Sequence, residues 1–193
     1  YIPGYALTVN ACVTSFGILT SDPFFQITGL PELTPFRLGS CGQDWEYRPI
    51  SGKTIDRIID ATRVIGEDLQ TNGYKGIFGL DFVVNDSEAD VYVIESNPRL
   101  IASIPIFTDL QLLGEETPLL FWHLSSLGWQ NLLDQYSSNH NYRFDQKGFL
   151  KSKEQLGRIR HGSQVILHNT QPYSQIIDCK LDAGIYTLEA DKL

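Results

Sequence analysis

The sequence predicts an α+β fold in which helices pack on an antiparallel sheet, followed by a small C-terminal β appendage. Three stretches indicate this fold: a β-rich segment at 5–19, an amphipathic helix at 54–72 and a hairpin of two strands at 76–95. A chain of 193 residues is long enough to bury a sizeable core. We expect one main domain over 1–135, then a linker and a small β-rich extension over 136–193.

The first strands are predicted from alternating side chains. Apolar and polar residues alternate within 5–19, and a hairpin turn is expected at Ser15-Phe16-Gly17. A short strand is expected at 24–27. Residues 31–52 are rich in Gly, Pro and Ser, which predicts a long loop. Its segment 39–42 fits either a plain connection or a mobile loop over an active site.

The helix at 54–72 and the hairpin after it carry the strongest patterns. The apolar side chains of the helix recur at helical spacing, in the order Ile55, Ile58, Ile59, Thr62, Ile65 and Leu69. Gly73 supplies a stop signal. Two apolar strands follow at 76–84 and 90–95, and the polar residues 85–89 between them predict an antiparallel hairpin.

The second half of the chain shows weaker patterns. A helix is expected at 108–128, broken near Gly114 and restarted with Thr117 as N-cap and Pro118 at the first helical position. Polar residues at 139–153 predict a linker or loop. Three short strands are then predicted, at 164–168, 174–179 and 184–189.

Charge and cysteine content limit the classes of partner. Fifteen Lys and Arg against 23 Asp and Glu give a net charge of −8, which argues against a nucleic-acid partner. No apolar run approaches the length of a membrane span, so no membrane partner is expected. Cys12, Cys41 and Cys179 are widely spaced and include no C-x-x-C motif, so neither a disulfide framework nor a zinc site is supported. Reduced thiols in the cytoplasm are the simpler interpretation.

Polar residues that interrupt the apolar hairpin indicate a metal site. If the turn is centred near residue 88, Asp81 lies opposite Glu95, and Asn97 follows on the same face. Like charges in this position repel unless a cation lies between them, and Mg²⁺ prefers carboxylate and carbonyl oxygens. Arg99, held next to this group by Pro98, is suited to grip a phosphate or a carboxylate. The alternative is a hairpin with ordinary solvent-exposed charges.

The stretch Gly76-Ile-Phe-Gly-Leu-Asp-Phe, followed by Val91-Tyr-Val-Ile-Glu-Ser-Asn-Pro-Arg, resembles the second lobe of the ATP-grasp superfamily. The resemblance covers about residues 1–130. It implies two α+β lobes that clasp ATP, with Asp81, Glu95 and Asn97 as ligands of Mg²⁺ or, alternatively, Mn²⁺. It also implies that Arg99 contacts the phosphate or an acyl-phosphate intermediate.

The family's usual reaction joins a small-molecule carboxylate to an amine or a similar nucleophile through an acyl phosphate. Biotin-dependent carboxylases carry a Glu where this chain has Ser103, so the resemblance disfavours carboxylation of biotin. The lysines and adenine hinge of the first lobe are not found, and the chain contains no Met. We therefore expect a C-terminal fragment that is inactive without the N-terminal lobe of the same protein. Whether the protein forms an oligomer is left open. The alternative function is a nucleotide-binding regulatory or scaffold module without ligase turnover.

Two further polar residues lie within apolar patterns. Asn10 interrupts the first strand, and a position at a sheet edge or facing solvent is favoured over one that faces a substrate. His123 lies on an apolar helix face, which favours a packed core histidine over a ligand.

Overall fold

The computed structural model describes residues 2–31, 33–37, 39–85, 87–129, 131, 133, 135 and 142–166. Its strands are β1 (Tyr5–Thr14), β2 (Gly17–Thr20), β3 (Phe24–Thr28), β4 (Ser40–Asp44), β5 (Gly76–Val84), β6 (Val91–Asn97) and β7 (Ser163–Val165). Its helices are α1 (Gly52–Thr71), α2 (Ile104–Leu113), α3 (Leu119–Ser126) and α4 (Gln146–Leu156). None of these helices is long and apolar enough to cross a membrane.

One antiparallel sheet organises the described part of the chain. The strand order is β6-β5-β1-β3-β4-β7, and β2 pairs with the C-terminal end of β1. Every pairing is antiparallel. The predicted α+β fold with helices packed on an antiparallel sheet is therefore confirmed.

The two faces of the sheet are covered differently. Helix α1 packs on one face, where Ile58 joins side chains such as Leu7, Val9 and Phe78 in a buried cluster. Helices α2 to α4 pack on the other face around Trp122. They cover the end of β1 and β5 that contains Cys12 and Ile77. Side chains alternate along a strand, so every second residue of β1 and β5 lies on this second face. The polar ones that lie farther along these strands from Cys12 and Ile77 are outside the helical layer.

Helix α1 confirms the prediction at 54–72, although its buried stripe differs from the apolar one. Ser51 caps the helix, with its hydroxyl accepting from the Thr54 amide. The fully buried positions are Thr54, Ile58, Thr62 and Gly66, spaced four residues apart. The small residues of this line, Thr54, Thr62 and Gly66, let the helix approach the sheet closely.

The predicted loop at 31–52 contains a strand, so this prediction was wrong at 40–44. Residues Ser40–Asp44 form β4, which pairs with β3. The sequence Ser-Cys-Gly-Gln-Asp has no β-branched residue, which is why its pattern suggests a loop. The segment 39–42 is thus mostly strand rather than a mobile loop over a site.

Two helix predictions also need correction. Helix α2 begins at Ile104, four residues before the expected start, and Gly114 is its C-cap. Helix α3 begins at Leu119 with Pro118 as N-cap, so Thr117 does not hold that position.

The polar segment at 139–153 was expected to be a linker, but much of it is helical. Helix α4 begins at Gln146, and Asp145 caps it by accepting from the Gly148 amide at 2.9 Å. Its buried residues Phe149 and Leu156 join the cluster around Trp122. The many charged residues of this segment conceal those two apolar positions.

The C-terminal predictions are tested only in part. The first predicted strand corresponds to β7, which pairs with β4. The strands predicted at 174–179 and 184–189, and Cys179, lie outside the described residues. The division into 1–135 and 136–193 stays a prediction, although α4 and β7 pack on the same core and sheet as the preceding elements.

Candidate functional site

The site lies on the second face of the sheet, where β5 and β6 pair beyond the helical layer. Asp81 and Glu95 are direct cross-strand partners, and Asn97 pairs with Gly79. The turn half of the hairpin has another register, with Phe82 opposite Val93, so Ile94 is an extra residue that forms a bulge. If the register of the turn half continued, Asp81 would lie opposite Ile94. The bulge shifts the register by one residue, so Asp81 lies opposite Glu95, as the sequence predicts.

Gly79 allows the chain after β6 to fold down onto the sheet. A Cβ atom at this position would lie 2.5 Å from Cδ1 of Ile101. The close approach brings Arg99 and Ser103 to the same pocket as the acidic pair. A larger residue at position 79 would have to displace the Ile101 side chain that packs over this strand.

The Asp81 carboxylate is the centre of a hydrogen-bond network. Its Oδ1 accepts from the Thr8 hydroxyl at 2.7 Å and from Nε2 of Gln26 at 2.8 Å. Its Oδ2 accepts from Nδ2 of Asn97 at 3.2 Å. The donors come from β1, β3 and β6, so the sheet itself fixes the orientation of this carboxylate.

Burial raises the pKa of Asp81 above its usual range, and the negative charge of Glu95 adds to the rise. The hydrogen bonds from Thr8 and Asn97 and the charge of Arg99 act in the opposite direction. The carboxylate is thus partly desolvated beside a second carboxylate, an environment that favours binding of a cation.

Hydrogen bonding also fixes the amide of Asn97. An ionised carboxylate can only accept, so the amide nitrogen faces Asp81 and the amide oxygen faces the other way. That oxygen accepts from Nη2 of Arg99 at 2.9 Å. Asn97 is 8% exposed, whereas Glu95 and Arg99 are exposed. The structure therefore brings all four sequence-predicted site residues together.

The pocket contains residues that sequence reasoning missed. Its volume is about 190 Å³, and Thr8, Gln26, Gln43 and Ser103 are among the residues that border it. Gln26 carried a usable signal, because it is a polar residue within the short apolar strand Phe24-Phe25-Gln26-Ile27. The others are brought to the site by long-range pairing, which local patterns do not reveal.

Asn10 and His123 both have structural partners. Asn10 is fully buried in a central strand and its Oδ1 accepts from the Ser103 hydroxyl at 2.8 Å, so the expected edge or solvent-facing position was wrong. His123 is half-buried, and its Nδ1 accepts from the Ile77 amide at 3.0 Å. Burial lowers the pKa of His123, which keeps this nitrogen free to accept.

The side chains at the acidic pair fit a magnesium ion that is shared with a bound ligand. They offer two carboxylates and one amide oxygen, and Mg²⁺ is commonly held by one or two carboxylates together with substrate phosphates. Within the described ranges, no group of three or more His, Cys, Asp or Glu side chains could hold a metal by itself. The arrangement thus suits an ion that arrives with a phosphate ligand.

Comparison with known proteins identifies the fold. A solved N5-carboxyaminoimidazole ribonucleotide synthetase in complex with ADP superposes with a TM-score of 0.51 at 15% identity, covering 65% of this chain and 30% of that chain. That synthetase is an ATP-grasp protein. This chain has an ATP-grasp fold.

Other comparisons cover smaller parts of this ATP-grasp lobe or superpose less well. The arginine-specific large chain of carbamoyl phosphate synthase from Halalkalibacterium halodurans is 37% identical over 75 residues. That match covers 37% of this chain and 7% of the synthase. A putative ATP-grasp superfamily protein from Archaeoglobus fulgidus has a TM-score of 0.44 at 22% identity, covering 59% of this chain and 35% of that one. No protein-family model matches the chain.

Proposed function

We propose that this ATP-grasp lobe belongs to an ATP- and Mg²⁺-dependent ligase that activates a carboxylate as an acyl phosphate for attack by an amine. The observation that carries the proposal is the opposition of Asp81 and Glu95 on the part of the sheet face that the described helices leave open, with Asn97 and Arg99 beside them. The solved relative is a synthetase bound to ADP, and the curated one is a carbamoyl phosphate synthase, which supports this class of reaction.

Asp81, Glu95 and Asn97 would hold the magnesium ion, and Mn²⁺ has the same ligand preference. When bound, the ion would neutralise phosphate oxygens of the nucleotide. Glu95 is exposed, and Asp81 is held in place by Thr8 and Gln26. The Asn97 amide would have to turn its oxygen from Arg99 toward the ion, because its nitrogen faces Asp81 in this structure.

An apolar strip next to the acidic pair fits the nucleotide. Ala6, Val83 and Tyr92 are successive cross-strand partners, and Val83 lies two residues from Asp81 on the same face. A base lying on this strip would place its phosphates toward the carboxylates. The geometry agrees with the lobe's proposed part in binding ATP.

Arg99 is the proposed catalytic residue. In the first step an oxygen of the substrate carboxylate attacks the γ-phosphorus of ATP, and ADP leaves. In the second step the amine attacks the carbonyl carbon, and phosphate leaves. Arg99 lies within the same pocket and would stabilise the negative charge of the transferring phosphoryl group.

The proposal is tested on the full-length protein by ADP release from Mg²⁺-ATP with a panel of amino acids as carboxylates. We expect at least one carboxylate to stimulate release. Binding of Mg²⁺-ATP without any stimulation would instead support a nucleotide-binding regulatory or scaffold module.

The metal assignment has its own test. Glu95→Gln combined with Asn97→Ala removes a charge and an oxygen ligand, so Mg²⁺-dependent nucleotide binding should be lost in calorimetric titration. Asp90→Asn is the matched control, because Asp90 is an exposed acidic residue of the same hairpin that pairs with Asn85. Unchanged affinity in the double variant would contradict the assignment.

A further inference from the structure

Gln26 has a fixed orientation that determines what it can offer to a ligand. Its Nε2 donates to Oδ1 of Asp81 and also to the Thr8 hydroxyl oxygen. The Thr8 hydroxyl gives its own hydrogen to Asp81. The amide nitrogen of Gln26 therefore faces Asp81 and Thr8, and its carbonyl oxygen, which can only accept, remains to contact a molecule in the pocket.

Gln43 repeats this chemistry on the neighbouring strand. It is the cross-strand partner of Gln26, lies on the same face and borders the same pocket. Gln43 is 6% exposed, and its Oε1 is buried without a hydrogen-bond partner among the described residues. The Oε1 of its cross-strand neighbour Gln164 on β7 is likewise buried without a partner among the described residues. A buried acceptor without a partner is unfavourable until a donor arrives.

The charge around these two glutamines narrows the class of ligand. Arg99 is the only cation among the described residues that border the pocket, and it lies on the β6 side. The β4 side therefore lacks the positive charge that a second anion would need. Two carbonyl oxygens there favour a small molecule that donates N–H groups.

We propose that Gln26 and Gln43 form the subsite for the amine nucleophile, with their carbonyl oxygens accepting its N–H groups. This inference rests on the proposed ligase function. The amine nitrogen, held beside the acidic pair, forms a bond to the carbonyl carbon of the acyl phosphate. The carbon–oxygen bond to phosphate breaks, phosphate leaves with the electron pair, and the proton that the nitrogen loses passes to the leaving phosphate. A pocket of about 190 Å³ limits the part of the amine that enters to a compact group.

The test uses hydroxylamine as the amine, because it converts an acyl phosphate to a hydroxamate that gives a coloured ferric complex. The full-length protein is assayed with Mg²⁺-ATP and the carboxylate that stimulates ADP release. Gln43→Met removes the acceptor while keeping the side-chain length. The KM for hydroxylamine should rise by about tenfold, the usual effect of one lost hydrogen bond, while kcat and the KM for Mg²⁺-ATP stay near wild type.

Two further variants separate the role of the oxygen from a structural role. Gln43→Glu keeps an acceptor oxygen and should retain a KM for hydroxylamine near that of the wild type. Gln155→Met is the matched control, because Gln155 is a buried glutamine of α4 that does not border the pocket and whose Oε1 has no partner among the described residues. Melting temperatures check folding, and Gln43→Ala replaces the Met variant if that one does not fold.

These assays distinguish a failure of the proposed amine subsite from a failure of the proposed ligase function. A wild-type KM for hydroxylamine in Gln43→Met overturns the subsite and leaves the ligase function standing. An equal loss in Gln43→Glu and Gln43→Met, or a change confined to the KM for the carboxylate, also overturns it, because Gln43 would then donate rather than accept. If no carboxylate stimulates ADP release by the wild-type protein, the proposed function and this subsite both fail.

Discussion

Glu88 shows how a single side chain can join two elements that are distant in sequence. It lies in the turn between β5 and β6 with a φ of 55°. Its Oε2 accepts from the amide and hydroxyl of Ser51 and from the hydroxyl of Thr54, at the N-terminus of α1. A carboxylate at this end of a helix is favoured by the helix dipole. The contact therefore links the hairpin of the site to the helix behind the sheet.

The pH dependence of Glu88→Gln tests this link. The hydrogen bonds from Ser51 and Thr54 lower the pKa of Glu88 in the folded state. A lowered pKa stabilises the fold above the unfolded-state pKa, and this contribution is lost as the pH falls through the folded-state value. The variant should melt below the wild type at neutral pH and approach it in acid. Melting curves across that range check the prediction, and a difference independent of pH would contradict it.

The residues of the acidic pair could be predicted because hairpin spacing is local information. Asp81 and Glu95 lie on strands that follow one another, so the spacing places them near each other, although the bulge at Ile94 that makes them direct partners has no signal in the turn. Gln26 and Gln43 are brought to Asp81 by β3 and β4, whose pairing depends on contacts across the whole sheet. No local pattern indicates that these amides share a pocket with the carboxylates.

At the level of elements, prediction succeeded where apolar periodicity was strong. β1, α1, β5 and β6 all carry such patterns and appear close to their expected bounds. β4 and α4 were missed because small, polar and charged residues dominate them. Helix α4 did carry one usable signal, since Asp145 stands at the N-cap and Phe149 and Leu156 are spaced seven residues apart.

The packing of α1 on the sheet predicts the effect of Gly66→Ala. Alanine is the better helix former by about 1 kcal/mol. A Cβ atom at position 66, however, would lie 2.8 Å from Cγ2 of Ile18 and 3.0 Å from Cζ of Phe78. Overpacking that displaces the helix or its neighbours costs about 1–3 kcal/mol, so we expect a net loss of up to about 2 kcal/mol after the gain in helix propensity.

Urea denaturation measures this loss, and Gly52→Ala is the matched control. Gly52 is the first residue of the same helix, and a Cβ atom there would contact nothing within 4 Å. The control should be neutral or slightly stabilising. A Gly66→Ala protein as stable as the control would show that the helix does not approach the sheet as closely as described.

At the scale of the whole molecule, a buried ion pair joins the connection between α2 and α3 to the segment that follows α4. Arg160, between α4 and β7, donates to the carboxylate of Glu116, between α2 and α3, and both side chains are almost fully buried. The Arg160 guanidinium also lies 4.8 Å from the centre of the Phe107 ring. The pair thus connects segments more than 40 residues apart in sequence.

Glu116→Gln should strongly destabilise the fold, because it leaves the buried Arg160 without a counter-charge. Removing one partner of such a pair costs about 3–5 kcal/mol. Glu46→Gln is the control, since Glu46 faces His161 at 3.2 Å and both side chains are exposed. Urea denaturation midpoints compare the two. A loss in Glu116→Gln no larger than that of the control would be inconsistent with a buried pair.

The bulge at Ile94 adds one residue to the hairpin without changing which residue lies opposite Asp81. Phe82 faces Val93 on the turn side of the bulge, and Asp81 faces Glu95 on the other side. Deleting Ile94 would therefore leave a continuous ladder in which Asp81 still meets Glu95. A chain with one residue fewer in β6 can keep the same pair of opposed carboxylates. The extra residue gives this strand a tolerance to a one-residue deletion that a regular hairpin would lack.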